Sequence, residues 1–100
     1  MTTEEKFEKR VCGNLQLAQQ RGLFRTAGAL AQIRRYGAAA WARGCFSRCR
    51  CCDGFEELAQ AGELRLSVEA LAAGQEFGGL FSDEEVNFCL QALLSAGYYG

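Results

Sequence analysis

The sequence contains no histidine and no proline. Without histidine, a cysteine or serine nucleophile has no imidazole to activate it, and a metal site has no side-chain nitrogen ligand of the usual kind. Without proline, no position forbids an α-helix. These absences argue against the common acid–base enzymes and favour a helical protein without catalytic activity.

Long apolar runs are also missing. The first ten residues, MTTEEKFEKR, carry charges and do not form the pattern of a secretory signal. The longest uncharged stretch, residues 86–100, is shorter than the roughly 20 residues that a membrane-spanning helix needs. We therefore expect no membrane contact and a cytosolic protein, in which thiols stay reduced.

The composition predicts the fold class. The chain has 100 residues, 49% of them apolar, which is enough for one small domain to bury a core. Good helix formers such as alanine, leucine, glutamate and arginine dominate. We predict an all-α fold over residues 1–100: a compact single-domain bundle of about five helices, with one long central helix and several short ones.

Capping signals and periodicity place the helices. Two capping boxes, Thr2 with Glu5 and Ser82 with Glu85, predict a first helix over residues 3–20 and a last helix over 83–96. Apolar positions three and four apart predict the central helix from residue 23 to 44. Two short helices follow, one capped by Asp53 and one, over residues 68–73, capped by Ser67. The residues of the last helix expected to point inward are Val86, Cys89, Leu90, Leu93 and Leu94.

Charge is divided between the two halves of the chain. Residues 1–52 hold ten Lys and Arg against three Glu, a balance of +7, whereas residues 53–100 hold Arg65 against nine acids, a balance of −8. Such asymmetry suggests electrostatic recognition of a partner. The alternative is that the two halves neutralise each other when the chain folds.

Arginines recur on one face of the predicted central helix. A step of about 100° per residue places Arg21, Arg25, Arg35 and Arg43 opposite the apolar face, with a spacing that could meet phosphates. A helix-turn-helix over residues 55–73 is unfavourable, because its second helix has no base-reading side chain and a negative charge. We therefore rank direct nucleic-acid binding below a solvated or internally paired face.

Four of the six cysteines lie within eight residues, CFSRCRCC. Cys45, Cys49 and Cys52 follow at i, i+4 and i+7, which predicts one helical face on which they pack as small apolar side chains. The same three are the candidate zinc ligands, although a second C-x-x-C pair is missing. A third interpretation is a redox role, with Arg48 and Arg50 lowering a thiol pKa. We prefer core packing and expect no cofactor, with zinc as the alternative.

Other side chains suit a protein interface. Arginine and tyrosine are frequent at interface hot spots, and the acidic half offers carboxylates to a basic partner. The two tyrosines could instead close the end of the bundle. The candidate partner-binding residues are Arg21, Arg25, Arg35, Arg43, Glu56, Glu57, Tyr98 and Tyr99.

The stretch RCRCCDGFEELAQAGEL, with the preceding GLFRTAGALAQIRRYG, resembles a helical type I-F anti-CRISPR protein, one of the small inhibitors that phages and mobile elements encode. The resemblance covers most of the chain. It implies a noncatalytic stoichiometric inhibitor in the host bacterial cytosol, docked on a CRISPR surveillance complex and blocking its binding or processing of target DNA.

The working hypothesis is a binding protein whose partner is a bacterial complex that handles nucleic acid. The alternative is a zinc- or phosphate-binding regulatory protein that acts on nucleic acid directly.

Overall fold

The computed structural model describes residues 2–98, and these are helical without any β-strand. The first helix, α1 (Thr3–Gln20), begins at the predicted capping box: Thr2 Oγ1 accepts a hydrogen bond from Glu5 N–H, and Glu5 Oε1 accepts one from Thr2 N–H, both at 3.1 Å. Its buried face consists of Phe7, Val11, Leu15 and Ala18, as the spacing predicted.

The predicted central helix is wrong, because the chain breaks at Gly37 into α2 (Ala27–Tyr36) and α3 (Ala38–Ser47). Gly37 has φ 85° and ψ 150°, a region that is almost exclusive to glycine. Glu8 of α1 fixes the break, since its Oε1 accepts a hydrogen bond from Ala38 N–H at 2.9 Å and so caps α3. The longest helix in the described chain is α1, with 18 residues.

The second half is built from short helices: α4 (Phe55–Gln60), α5 (Val68–Ala73) and α6 (Asp83–Ser95), with 3₁₀ helices at Leu64–Leu66 and Gly78–Leu80. The predicted caps Ser67 and Ser82 are confirmed, each accepting a hydrogen bond at 3.1 Å from a backbone N–H three residues on. The predicted cap Asp53 is wrong. Gly54 occupies the cap position with φ 90° and without a side-chain cap.

The core has two parts. In the first, Phe7 packs edge to face against Phe77 and Phe81, with ring centroids 5.3 and 5.4 Å apart, and Phe46 of α3 lies 5.6 Å from Phe81. The second part joins the C-terminal turn of α1 to the acidic half and consists of Ala18, Phe55, Leu58, Leu64, Leu66 and Leu93. The predicted all-α, single-domain fold class is confirmed.

The buried face of α6 is narrower than expected. Cys89 and Leu93 are buried, but Leu90 and Leu94 are 42% and 50% exposed. The helix packs mainly against α5 and, to a smaller extent, against α3. The side of α6 that carries Leu90 and Leu94 therefore stays exposed to solvent. No helix within residues 2–98 is long and apolar enough to cross a membrane.

The break at Gly37 leads to a stability prediction. We expect Gly37→Ala to lower the free energy of unfolding by about 1–3 kcal/mol, because a Cβ strains this backbone conformation. Gly13→Ala is the matched control: Gly13 lies inside α1 with open space around it, so its replacement should raise stability by up to about 1 kcal/mol. Urea unfolding followed by circular dichroism measures both. A Gly37→Ala protein as stable as the wild type would contradict this account of the break.

Candidate functional site

The cysteine segment does not continue α3 as predicted. The helix ends at Ser47, and Cys49 has φ 55°, which turns the chain out of the helical path. As a result Cys45 is half-buried, Cys49 is exposed and Cys52 is buried. The prediction of one shared helical face is therefore wrong, and core packing describes Cys52 but not Cys49. The described residues contain no group of three or more Cys, Asp or Glu side chains placed to hold a metal ion, the candidate zinc ligands included.

This turn opens a surface cleft of about 590 Å³ between the chain before α2 and the start of α4. We call it the charged cleft, because five exposed ionic side chains surround it and none forms an ion pair within residues 2–98. Its lining residues are Phe24, Arg25, Arg50, Cys51, Cys52, Asp53, Gly54, Phe55, Glu56 and Glu57. The fold thus brings together three of the predicted partner-binding residues, namely Arg25, Glu56 and Glu57.

The remaining predicted arginines do not form the expected stripe. Arg21 pairs with Glu63 at 2.8 Å. Arg43 donates from Nε to the Leu80 carbonyl oxygen at 2.9 Å and lies 5.9 Å from the Phe81 ring centroid, so it mainly holds the chain before α6. Arg35 is exposed on α2 and lies over the ring of Tyr36 at 5.3 Å. The break at Gly37 separates Arg35 from Arg43, and Arg21 lies before α2, at the C-terminal cap of α1.

Only one of the two predicted tyrosines, Tyr98, lies within the described residues. Tyr98 is half-buried and lines a largely apolar groove of about 350 Å³ together with Leu90, Leu94 and the end of α5. Its backbone N–H donates to the Leu93 carbonyl oxygen at 2.9 Å. Tyr98 also packs against the second part of the core, and its role in binding a partner stays a prediction. Tyr99 lies outside the described residues.

Folding pairs the opposite charges of the two halves of the chain only in part. Two ion pairs join them: Arg10 with Glu76 at 3.2 Å, and Arg21 with Glu63 at 2.8 Å. Of the nine acids after residue 52, Glu69 is buried and six others have no ion-pair partner within residues 2–98. These six are Asp53, Glu56, Glu57, Asp83, Glu84 and Glu85.

Glu69 is a buried acid below the charged cleft. It is 0% exposed, and its Oε2 accepts a hydrogen bond from Cys52 N–H at 2.6 Å. Its Oε1 is buried and has no hydrogen-bond partner in the described chain. Burial raises the pKa of Glu69 to about 7, although the Cys52 N–H offsets part of that rise. A substantial fraction of this carboxyl group is therefore protonated at neutral pH.

Sequence reasoning missed Glu69. A glutamate two positions after a serine cap resembles an ordinary first-turn acid that interacts with the helix dipole. The signal that was available is its position three residues before Ala72, which puts it on the side of α5 that faces the core.

The thiols around this carboxyl group differ in acidity. Interaction with the Cys52 thiol lowers the pKa of Cys45 to about 7. The same interaction, followed in size by burial, raises the pKa of Cys52. Partial desolvation also raises the pKa of Cys51, to about 11, although this residue is exposed at the surface. Cys45 is thus the thiol among these three that ionises most readily.

Comparison of the chain with protein-family models, with curated proteins and with solved structures finds no match.

The buried carboxyl group predicts a pH-dependent stability. Its pKa is about 7 in the folded protein against 4.5 as the ordinary value, so folding favours the protonated form. Below pH 4.5 both states hold the proton and this stabilisation is fully present; it is lost as the pH rises through 7. As the pH rises from 4.5 to above 7, we expect the free energy of unfolding of Glu69→Gln to increase relative to that of the wild type by on the order of 3 kcal/mol.

Unfolding by urea at a series of pH values measures this difference. Glu57→Gln is the control, since Glu57 is exposed at the cleft rim and its replacement should change stability by less than about 0.5 kcal/mol at any pH. A constant difference between Glu69→Gln and the wild type from pH 4.5 to 8 would contradict the assignment of a raised pKa to Glu69.

Proposed function

We propose that this chain is a noncatalytic, stoichiometric inhibitor that docks on a bacterial complex that handles nucleic acid. By the resemblance described above, that complex is a type I-F CRISPR surveillance complex, and docking blocks its binding of target DNA. The observation that carries the proposal is the acidic rim of the charged cleft, where Asp53, Glu56 and Glu57 are exposed and have no ion-pair partner within residues 2–98.

The electrostatics support this choice of surface. A complex that binds DNA presents lysine and arginine side chains to phosphates. Three carboxylates within five residues can occupy such a surface, and complementary charge speeds encounter and fixes orientation. Arg25 and Arg50, which also line the cleft, add two donors for acidic groups of the partner. The cleft therefore offers recognition by both signs of charge.

The same side chains give little support to catalysis. Asp53, Glu56 and Glu57 are exposed to water, and general acid–base catalysis usually employs a carboxyl group whose pKa a buried site has tuned. The buried Glu69 is bonded to the Cys52 backbone and does not line the cleft. We therefore assign the charged cleft to binding.

Charge reversal at the cleft tests the proposal. We expect Glu56→Lys/Glu57→Lys to weaken binding to the purified surveillance complex by at least about tenfold, or ~1.4 kcal/mol, and to restore its binding of target DNA. The matched control is Asp83→Lys/Glu84→Lys, which makes the same charge change in the first turn of another helix. Calorimetry with the complex and a DNA-binding assay supply the two readouts.

The two variants separate the possible outcomes. A loss confined to the Glu56 and Glu57 variant supports docking through the charged cleft. An equal loss in both variants, a loss in the control alone, or wild-type affinity in both would contradict it. The absence of any binding to the complex by the wild-type chain would contradict the inhibitor function itself.

Direct phosphate binding is the competing function, because Arg25 and Arg35 are exposed and unpaired within residues 2–98. They lie on different elements, and the other two arginines of the predicted stripe are engaged within the protein. We therefore expect Arg25→Glu/Arg35→Glu to leave any DNA affinity unchanged. A large loss that depends on salt concentration in a fluorescence anisotropy titration would instead favour the phosphate-binding function.

A further inference from the structure

Residues 51–54 form the floor of the charged cleft and have few polar connections to the rest of the chain. Within residues 2–98, one hydrogen bond joins them to an element other than the adjoining α4: Cys52 N–H donates to Glu69 Oε2 at 2.6 Å. Phe24 supplies an apolar contact, since a Cβ added to Gly54 would overlap its ring. The polar contact that positions this segment is therefore that of a single carboxyl group.

The surroundings of Glu69 disfavour its ionised form. The side chain is 0% exposed, its Oε1 has no hydrogen-bond partner in the described chain, and none of the ion pairs within residues 2–98 involves it. An ionised carboxylate at this place would keep one hydrogen bond, from Cys52 N–H, and would have no cation beside it. The closed arrangement thus suits the neutral acid, whereas the charged form gains from contact with water.

The other titratable groups near Glu69 do not compensate its charge. The buried residues of α1, α4 and the 3₁₀ helix Leu64–Leu66 are all apolar, and the 3₁₀ helix Gly78–Leu80 has none. The titratable side chains that interact with Glu69 are thiols, which carry no positive charge in either protonation state. They are Cys45 of α3, Cys51 and Cys52 of the segment itself, and Cys89 of α6.

We propose that the protonation state of Glu69 controls the floor of the charged cleft. The neutral carboxyl group holds residues 51–54 against α5, and its ionisation favours a locally opened form in which these residues leave α5 and water reaches the carboxylate. Opening displaces Asp53 and Gly54, so the shape of the cleft changes with pH. This inference concerns the conformation of the chain and stands whether or not a partner docks at the cleft.

Local opening costs less than global unfolding, because the segment is short and strained. Cys49, which precedes it, has φ 55°, and Gly54 has φ 90°; both lie in the left-handed region. Cys49 carries a Cβ, so its return to an ordinary conformation relieves strain. Opening exposes the small side chain of Cys52, whereas global unfolding exposes both parts of the core.

The pH range of the change follows from the two forms of the segment. The pKa of Glu69 is about 7 in the closed form, and it should approach the ordinary value of 4.5 in an opened form that hydrates the carboxyl group. Below pH 4.5 both forms hold the proton and the closed form has its full stability. That stability falls as the pH rises to 7 and changes little above it, so the opened form gains population between these two values.

Hydrogen exchange of the Cys52 amide, measured by NMR on the full chain under reducing conditions, tests the proposal. The observed exchange rate divided by the rate of an unstructured peptide at the same pH gives the equilibrium constant for opening. We expect this constant to rise by at least about tenfold from about pH 5 to about pH 7.5, because the opened form binds fewer protons.

Two variants assign the effect to the buried carboxyl group. Glu69→Gln keeps an oxygen for the Cys52 N–H but cannot ionise, so its opening constant should stay the same across this pH range. Glu84→Gln is the matched control: Glu84 also lies in the first turn of a helix but is exposed, and its variant should keep the pH dependence of the wild type. Circular dichroism confirms that both variants are folded.

The amide of Leu15, in the buried face of α1, separates local opening from global unfolding. We expect Leu15 to exchange at least about tenfold more slowly than Cys52, relative to unstructured peptides. Urea below the unfolding transition should accelerate exchange at Leu15 and leave that at Cys52 nearly unchanged, because local opening exposes little surface.

Three results would overturn the proposal. The first is a Cys52 opening constant that is independent of pH in the wild type. The second is an equal pH dependence in the wild type and in Glu69→Gln. The third is the same opening constant and urea response at Cys52 and Leu15, which would leave global unfolding as the route. The docking function is tested separately, by charge reversal at the exposed acids, so either proposal can fail while the other holds.

Discussion

The hydrogen bond from Cys52 N–H to Glu69 Oε2 is the interaction on which the arrangement of the cysteine segment depends. It connects a non-helical stretch that leaves α3 to a short helix of the acidic half, and both groups are buried. A buried backbone N–H without a partner costs about 1–3 kcal/mol, so this carboxyl group stabilises the turn that carries Cys51, Asp53 and Gly54. The hydrogen bond to Glu69 therefore holds the floor of the charged cleft in place. Burial of the same carboxyl group disfavours its charged form and raises its pKa.

This anchor also fixes the floor of the charged cleft. Cys52 is buried, yet it lines the cleft together with Cys51, Asp53 and Gly54. The exposed charges of the cleft are therefore carried by a segment whose backbone is tied to α5 through Glu69.

Part of this structure could be predicted from the sequence, and the reasons are local. Capping boxes fixed the starts of α1 and α6, because Thr2 with Glu5 and Ser82 with Glu85 satisfy backbone donors within three residues. The break at Gly37 could not be predicted from spacing, since the apolar period continues through it. It depends on Glu8, which is distant in the sequence and caps α3. For the site, Arg25, Glu56 and Glu57 were predicted individually, but their shared cleft depends on the turn at Cys49 and on Glu69.

The burial of Glu69 beside Cys52 is the central claim, and its titration tests that claim most directly. Carbon-13 labelling of the glutamate side chains, with the Glu69 signal assigned by its absence in Glu69→Gln, allows its carboxyl shift to be followed against pH. The account predicts a midpoint near 7 for the folded protein. A midpoint near 4.5, the ordinary value, would show that this carboxyl group is solvated and would contradict the account.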